Sequence, residues 1–178
     1  PHQEAPTNIC WGDRNRSVLV RVPLGWTGKH NMINDANPNE PMHNVDFSDV
    51  QTVEFRCPDG SADVYLTLAG LTVAARHGLE MENALKYAEE TYVDVNIFAE
   101  EHKDKVEKLK QLPLSCWESA QRLEDQKEHY MKYGVFPLNL IEGVAKMLRS
   151  YNDQNLRDDI QHDQGKILNL VNKYFHCG

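Results

Sequence analysis

Two stretches in which apolar and polar residues alternate predict β-strands in the first third of the chain. In residues 18–22 a valine stands at every second position, and residues 53–57 alternate apolar with charged side chains. A period of two with β-branched and aromatic residues is typical of a half-buried strand. The stretch between them, residues 25–49, is crowded with Asn, Gly, Pro and Asp, and we expect a long loop there.

After residue 60 the apolar positions recur at helical spacing. The pattern predicts five helical stretches. The first runs from Ser61 or Asp63 to Gly78, and the second is a charged stretch over 80–112 that is broken near 95–99. The third runs from the capping box at Ser115 to Tyr133 with Gly134 beyond it, the fourth from Pro137 to about 151, and a weaker fifth over 160–175. We therefore expect an α+β fold. Residues 1–60 would form short antiparallel strands and loops, and residues 61–178 a predominantly helical lobe of the same structural unit.

Composition excludes several classes of protein. Hydrophobic residues make up 40% and charged residues 26% of the 178 residues, which is the balance of an ordinary globular protein. A membrane span would need about 20 consecutive apolar residues, and none is present. The net charge of −8 argues against nucleic-acid binding. Four cysteines without a C-x-x-C pair, and the lack of a signal peptide, predict reduced thiols in a cytoplasmic protein.

Glu54 and Arg56 are the first candidates for chemistry. Alternate residues of a strand face the same side, so these two side chains would lie roughly 7 Å apart at the backbone. A carboxylate and a guanidinium on one face can hold a divalent cation beside an anionic ligand. The alternative interpretation is a cross-strand ion pair on a solvated face of the sheet.

Arg16, Arg21 and Glu4 extend this list. Two guanidinium groups can bind a transferring phosphoryl group, provided that Arg16 lies before the regular part of the strand. The alternative is two surface arginines that flank a strand. Glu4 stands before a proline in an aperiodic segment, so it would act as a proton acceptor only if its loop closes over a site.

A series of short motifs resembles the glutamine synthetase family in residue type and in order. The motifs are Glu4-Ala5-Pro6, Arg14-Asn15-Arg16-Ser17, Arg21-Val22-Pro23, Val53-Glu54-Phe55-Arg56 and Pro58-Asp59-Gly60-Ser61-Ala62. The resemblance covers about residues 1–150, and it is to the C-terminal part of the family's catalytic domain, with an incomplete catalytic sheet or barrel at its start.

The resemblance implies ATP-dependent ligation of ammonia to glutamate through a γ-glutamyl phosphate, with Mg²⁺ or Mn²⁺ as cofactor. Glu4 resembles the flap glutamate that accepts a proton from ammonium. Arg16 and Arg56 resemble residues that bind glutamate and the phosphoryl group. Arg21 resembles a contact to the nucleotide phosphates, and Glu54 a ligand of the metal nearest the γ-phosphate.

The family's other metal ligands and its N-terminal domain lie before the position that matches Pro1. We therefore expect a fragment that is inactive alone, from an enzyme that forms a homo-oligomeric ring in the cytoplasm. Phe98 stands where some bacterial members carry a modified tyrosine, so that modification is not expected here. Two alternatives stay open: a non-catalytic regulatory or interaction relative, and another phosphoryl-transfer enzyme with the architecture of a guanidino kinase.

Overall fold

The computed structural model of the protein describes residues 6–23, 32–41, 52–58 and 60–175. The chain divides into two compact units, and each of them is discontinuous in sequence. The first unit combines Pro1–Cys57 with Leu85–Gln111, and the second combines Pro58–Ala84 with Leu112–Gly178. Strands lie in the N-terminal part and helices dominate the rest, so the α+β class expected from the sequence is confirmed.

A three-stranded sheet belongs to the first unit. It comprises β1 (Trp11–Asp13), β2 (Val20–Val22) and β3 (Glu54–Phe55) in the order β1-β2-β3. The two strands predicted from alternation are β2 and β3, and they pair antiparallel as expected. The expectation is wrong for β1, which pairs with β2 in parallel. Trp11-Gly12-Asp13 has neither alternation nor a β-branched residue, so no local pattern marks it as a strand.

A short return loop, residues 14–19, makes the parallel pairing possible. Parallel strands usually need a crossover of a dozen or more residues. Here each strand has three residues and is only about 10 Å long, so six residues can lead the chain back. The loop begins at Arg14 in the left-handed region, at φ 57°, where its amide N–H donates to the carbonyl of Val22 at 2.9 Å.

The core of the first unit joins the N-terminal strands to residues 93–109. Cys10, Val18, Val93 and Ile97 are buried together. Partly buried apolar side chains pack around them: Val95, Phe98, Val106 and Leu109. The segment that follows residue 91 therefore completes the hydrophobic core of strands that lie some eighty residues earlier in the chain.

Nine α-helices occur in the described part of the chain. They are α1 (Met32–Ala36), α2 (Val64–Glu80), α3 (Ala84–Thr91), α4 (Lys103–Val106), α5 (Cys116–Asp125), α6 (Lys127–Met131), α7 (Leu138–Arg149), α8 (Leu156–Ile160) and α9 (Gln164–Tyr174). None of the helices in these described ranges has both the length and the apolar character needed to cross a membrane.

Several predicted boundaries differ from the observed ones. The predicted loop 25–49 contains α1, and its residues 25–31 and 42–49 lie outside the described residues. The charged stretch 80–112 is interrupted near 95–99 as predicted, but the interruption is longer than expected. Extended residues and a 3₁₀ turn at Glu100–His102 separate α3 from α4. The last predicted helix is divided into α8 and α9, because Asp163 begins a new helix by accepting from the amide of Lys166 at 3.0 Å.

Two predicted helix starts are confirmed, and a side chain caps each of them. Asp63 caps α2 by accepting from the amide of Leu66 at 2.9 Å, and Ser115 caps α5 by accepting from the amide of Glu118 at 3.0 Å. The helix end predicted at Gly134 is wrong, although Gly134 adopts φ 71°. The helix is interrupted at Gln126, and α6 ends at Met131 before a 3₁₀ turn in which Tyr133 already has φ 63°.

Helices α5 and α7 form the main packing contact of the second unit. Ala120, Ile141 and Ala145 are buried, and the two alanines allow the helix backbones to approach closely. At the end of the contact, Arg149 donates two hydrogen bonds to the carboxylate of Glu124, at 2.6 and 2.5 Å. Such a bidentate pair fixes orientation as well as distance.

Candidate active site

Three charged side chains meet on one face of β2 and β3, and we call them the Arg21–Glu54–Arg56 cluster. Arg21 and Glu54 are direct neighbours across the antiparallel pair, and Nη2 of Arg21 forms an ion pair with Oε2 of Glu54. The other carboxylate oxygen, Oε1, lies 3.3 Å from Nε of Arg56. Glu54 thus stands between two guanidinium groups.

This geometry relates directly to the two interpretations of Glu54 made from sequence. The ion pair between Glu54 and Arg56 places their side chains on the same face, as alternation along β3 predicts. The pair between Arg21 and Glu54 is the cross-strand ion pair that the alternative described. The same carboxylate makes both contacts, so its resting partner in the structure is arginine.

The charge balance of the cluster leaves it cationic. Two guanidinium groups and one carboxylate give a net charge of +1, in a chain whose total is −8. The side chains of Arg56 and Arg21 are 14% and 24% exposed, whereas that of Glu54 is 39% exposed. Within the described part of the chain, the buried Nε of Arg21 has no hydrogen-bond partner. A buried donor in a cationic cluster suits an anionic oxygen.

The described residues supply only part of a binding site for a divalent cation. Mg²⁺ and Mn²⁺ prefer hard oxygen ligands, and the partly exposed carboxylate of Glu54 has that chemistry. Over residues 6–23, 32–41, 52–58 and 60–175 there is no group of three or more His, Cys, Asp or Glu side chains that could hold a metal. Among the members of the cluster, Glu54 thus supplies one carboxylate of the chemistry that such a cation prefers.

Arg16 lies in the turn before β2 and is exposed. It borders a polar cavity of about 550 Å³ whose other described lining residues are Asp13, Arg14, Asn15, Ser17, Tyr92, Asp94, Val95 and Asn96. That lining includes no member of the Arg21–Glu54–Arg56 cluster. The structure thus joins three of the predicted site residues by ion pairs, and it places Arg16 at a cavity that none of those three lines.

The acidic groups beside Arg16 are held in their ionised form. The phenol of Tyr92 donates a 2.5 Å hydrogen bond to Asp13, which is the main cause that lowers the pKa of the Asp13 carboxyl and raises that of the phenol. The pKa of Asp94 is lowered chiefly by its hydrogen bond from Lys105, at 3.2 Å. Both carboxylates at the edge of the cavity are ion-paired, Asp13 with Arg14 and Asp94 with Lys105, each at 3.2 Å.

Glu4, the predicted proton acceptor, lies outside the described residues. Two residues that the sequence did not mark as candidates are prominent instead. Asn15 and Ser17 flank Arg16 and bond to residues 93–97. Their place in the Arg14–Ser17 motif was a signal, but the motif does not indicate partners that lie about eighty residues away.

Comparison with known proteins gives a consistent result. The model of the family described as glutamine synthetase, catalytic domain, matches residues 1–162. A glutamine synthetase from Pyrococcus furiosus is 34% identical over 177 residues, which are 98% of this chain and 35% of the relative. One from Thermococcus kodakarensis is 29% identical over 99% of this chain and 34% of the relative.

A bacterial relative agrees with these archaeal ones. The glutamine synthetase of Mycolicibacterium smegmatis is 32% identical over 142 residues, or 80% of this chain and 25% of the relative. The chain thus spans between 25% and 35% of the length of these curated relatives. Since the family model covers 162 of the 178 residues, the chain belongs to the glutamine synthetase family.

Proposed function

We propose that this chain contributes part of the catalytic site of a glutamate–ammonia ligase, which uses ATP to join ammonia to the side-chain carboxylate of glutamate through a γ-glutamyl phosphate. The observation that carries the proposal is the cationic Arg21–Glu54–Arg56 cluster in a chain that matches the family's catalytic domain. Because the chain spans about a third of the length of its archaeal relatives, the activity is proposed for the polypeptide that contains it, and the 178-residue chain alone is expected to be inactive.

The reaction transfers a negatively charged phosphoryl group, and the guanidinium groups of the cluster have the chemistry to bind it. Phosphoryl transfer is catalysed mainly by positioning and by neutralisation of the phosphate oxygens. Arg21 is assigned to the nucleotide phosphates, and Arg16 and Arg56 to glutamate and the transferring phosphoryl group. Glu54 is assigned as one ligand of Mg²⁺ or Mn²⁺. The cation would supply further charge neutralisation when bound.

The ion pairs of Glu54 support these assignments by a charge argument. Two arginines on one small face repel each other, and the carboxylate between them keeps both in place while no anion is bound. An arriving phosphate offers Arg21 and Arg56 new acceptors, which frees oxygen lone pairs of Glu54 for a cation. The exchange keeps every charge paired, and that is what a site for an anion together with a metal requires.

Glu4 is assigned as the acceptor of the ammonium proton. Glutamate, ammonia and ATP as substrates, a homo-oligomeric ring and a cytoplasmic setting complete the proposal. These assignments rest on the family resemblance and on the relatives named glutamine synthetase.

The test measures glutamine formation by the longest natural polypeptide that contains this chain. With glutamate, ammonium, ATP and Mg²⁺, Glu54→Gln should lower kcat/KM by about 100- to 1,000-fold, because the amide keeps the shape of the side chain but loses the charge. Glu89→Gln is the matched control, since Glu89 is an exposed residue of α3, and it should leave turnover unchanged.

Three outcomes contradict the proposal. Turnover by Glu54→Gln at the wild-type rate removes the assigned role of Glu54. Phosphorylation of a guanidino compound without glutamine formation by the wild type indicates the other phosphoryl-transfer class. A wild-type polypeptide that binds no nucleotide and shows no turnover is a non-catalytic relative.

A further inference from the structure

We propose that Asn15 is a positioning residue for Arg16. It holds the turn that carries the Arg16 guanidinium by anchoring that turn to residues 93–97. The inference rests on the proposed function, because it takes Arg16 to bind glutamate and the phosphoryl group. It adds a residue and a second chain segment on which the geometry of the site depends.

The side chain of Asn15 makes four hydrogen bonds, two on each side of its amide. Its Nδ2 donates to the carbonyls of Val93 at 3.1 Å and Val95 at 2.7 Å. Its Oδ1 accepts from the backbone N–H of Ser17 at 3.0 Å and from the Ser17 hydroxyl at 2.7 Å. An asparagine amide has two donor hydrogens and two acceptor lone pairs, so every hydrogen-bonding position of the Asn15 side chain is occupied.

Ser17 extends the anchor to one more residue of the same segment. Its Oγ accepts from the backbone N–H of Ile97 at 3.2 Å, and the residue is only 6% exposed. The two residues on either side of Arg16 are thus both tied to residues 93–97. Buried polar groups that are fully satisfied in this way hold a segment rigidly.

The segment that receives the anchor is itself fixed against β1. Val93 donates its backbone N–H to the carbonyl of Trp11 at 2.8 Å, and its side chain lies in the core with Val18. Asn15 therefore attaches the turn to a part of the chain that has little freedom to move.

Arg16 differs from its two neighbours. Its side chain is exposed and borders the polar cavity, and no ion pair joins it to a carboxylate among the described residues. The turn thus combines a hydrogen-bonded frame, partly buried at Asn15 and buried at Ser17, with an available guanidinium at Arg16. Because a misplacement of about 1 Å can lower a rate by about 100-fold, the frame decides how well the guanidinium meets its ligand.

A double-mutant cycle tests the role in the longest natural polypeptide that contains the chain. Asn15→Ala should lower kcat/KM for glutamine formation by at least about tenfold. In an Arg16→Ala background the same change should lower it by less than about twofold, because the group that Asn15 positions is already absent. Asn83→Ala, at an exposed residue, should leave the activity unchanged.

A second readout does not depend on activity. In the same polypeptide, Asn15→Ala and Ser17→Ala should each speed hydrogen exchange of the amides in residues 14–17 and 93–97 by about tenfold or more. Asn83→Ala should not. Ser17→Ala serves as the second variant should Asn15→Ala fail to fold.

The two readouts separate the possible failures. If the wild type makes glutamine but Asn15→Ala lowers kcat/KM equally in both backgrounds, Asn15 is merely structural and the positioning role is refuted. Unchanged exchange in both variants refutes the anchor itself. If exchange responds as expected but the wild type makes no glutamine, the proposed function fails, and the positioning of a ligand-binding Arg16 fails with it while the anchor stands.

Discussion

Gly12 gives the sharpest test of how the first unit is packed. The residue lies in β1 and is buried. A Cβ atom placed on it would lie 2.3 Å from the carbonyl oxygen of Val93. Carbon and carbonyl oxygen normally come no closer than about 3.3 Å, so Gly12→Ala must move one of the two backbones by about 1 Å.

The effect of this displacement on the free energy of unfolding can be worked out from the contacts that it disturbs. Moving Val93 away from Gly12 weakens the hydrogen bond from its N–H to Trp11, at 2.8 Å, and the one from Asn15 to its carbonyl, at 3.1 Å. Each is worth about 1 kcal/mol, and overpacking adds about 1–3 kcal/mol. We expect Gly12→Ala to lower the free energy of unfolding of this region by about 2–4 kcal/mol, or roughly 30- to 1,000-fold in its opening equilibrium.

Hydrogen exchange followed by mass spectrometry measures that equilibrium region by region, which suits a chain with two compact units. Peptides that cover residues 10–22 and 90–97 should lose protection by the stated factor. Gly143→Ala is the matched control, because Gly143 lies within α7 and an added Cβ meets nothing within 4 Å. That change should raise protection in α7, since alanine favours a helix by about 0.8–1.0 kcal/mol over glycine.

Protection within about twofold of wild type in residues 90–97 would refute this reasoning. The close approach of Val93 would then not be what requires glycine at position 12. Equal losses from Gly12→Ala and Gly143→Ala would also contradict it, since only the first site is crowded.

Two further predictions concern the N-terminus of α5, tested by urea unfolding followed by circular dichroism. Asp153→Ala should lower the free energy of unfolding by about 1–2 kcal/mol at pH 7, because Asp153 accepts from the amides of Cys116 at 2.6 Å and Trp117 at 3.1 Å. Burial raises the pKa of Asp153, but hydrogen bonds outweigh it and the net pKa is lowered. The contribution of Asp153 to the free energy of unfolding should therefore be complete at pH values above the ordinary pKa range of a carboxyl group. It should disappear as the pH falls through the lowered pKa of Asp153. Ser115→Ala should lower the free energy of unfolding by about 1 kcal/mol at every pH, because the Ser115 hydroxyl that accepts from the amide of Glu118 does not titrate.

Glu142→Ala is the control for the pH series, since Glu142 is an exposed carboxylate of α7. Its unfolding free energy should stay parallel to that of the wild type between pH 7 and pH 3. A deficit of Asp153→Ala that persists unchanged at low pH would contradict the role of the ionised carboxylate, and one in Ser115→Ala that varies with pH would contradict the cap.

Features that depend on neighbours in sequence could be predicted. The cap residues Asp63 and Ser115 each bond to an amide three residues ahead. Alternation identified β2 and β3 and put Glu54 and Arg56 on one face. In each case the physical cause lies within a few residues.

Features that depend on partners far away in the sequence could not be predicted. The register that sets Arg21 opposite Glu54 follows from a connection of about thirty residues between β2 and β3, and no local rule gives it. Asn15 reaches Val93 across 78 positions, and Gly12 meets the same residue. A glycine in a strand does indicate close approach of another backbone, but the sequence does not say which one.

The discontinuity of the first unit sets an order on folding during synthesis. Val18 cannot pack against Val93 and Ile97, its partners in the core, until both have been made. At about 5–20 residues per second, the ribosome needs roughly 4–15 s to add the 75 residues between Val18 and Val93. Throughout that interval Cys10 and Val18 lack these two core partners. Since the first unit ends at Gln111 and the second includes residues 112–178, the contacts within the first unit can all form before those of the second.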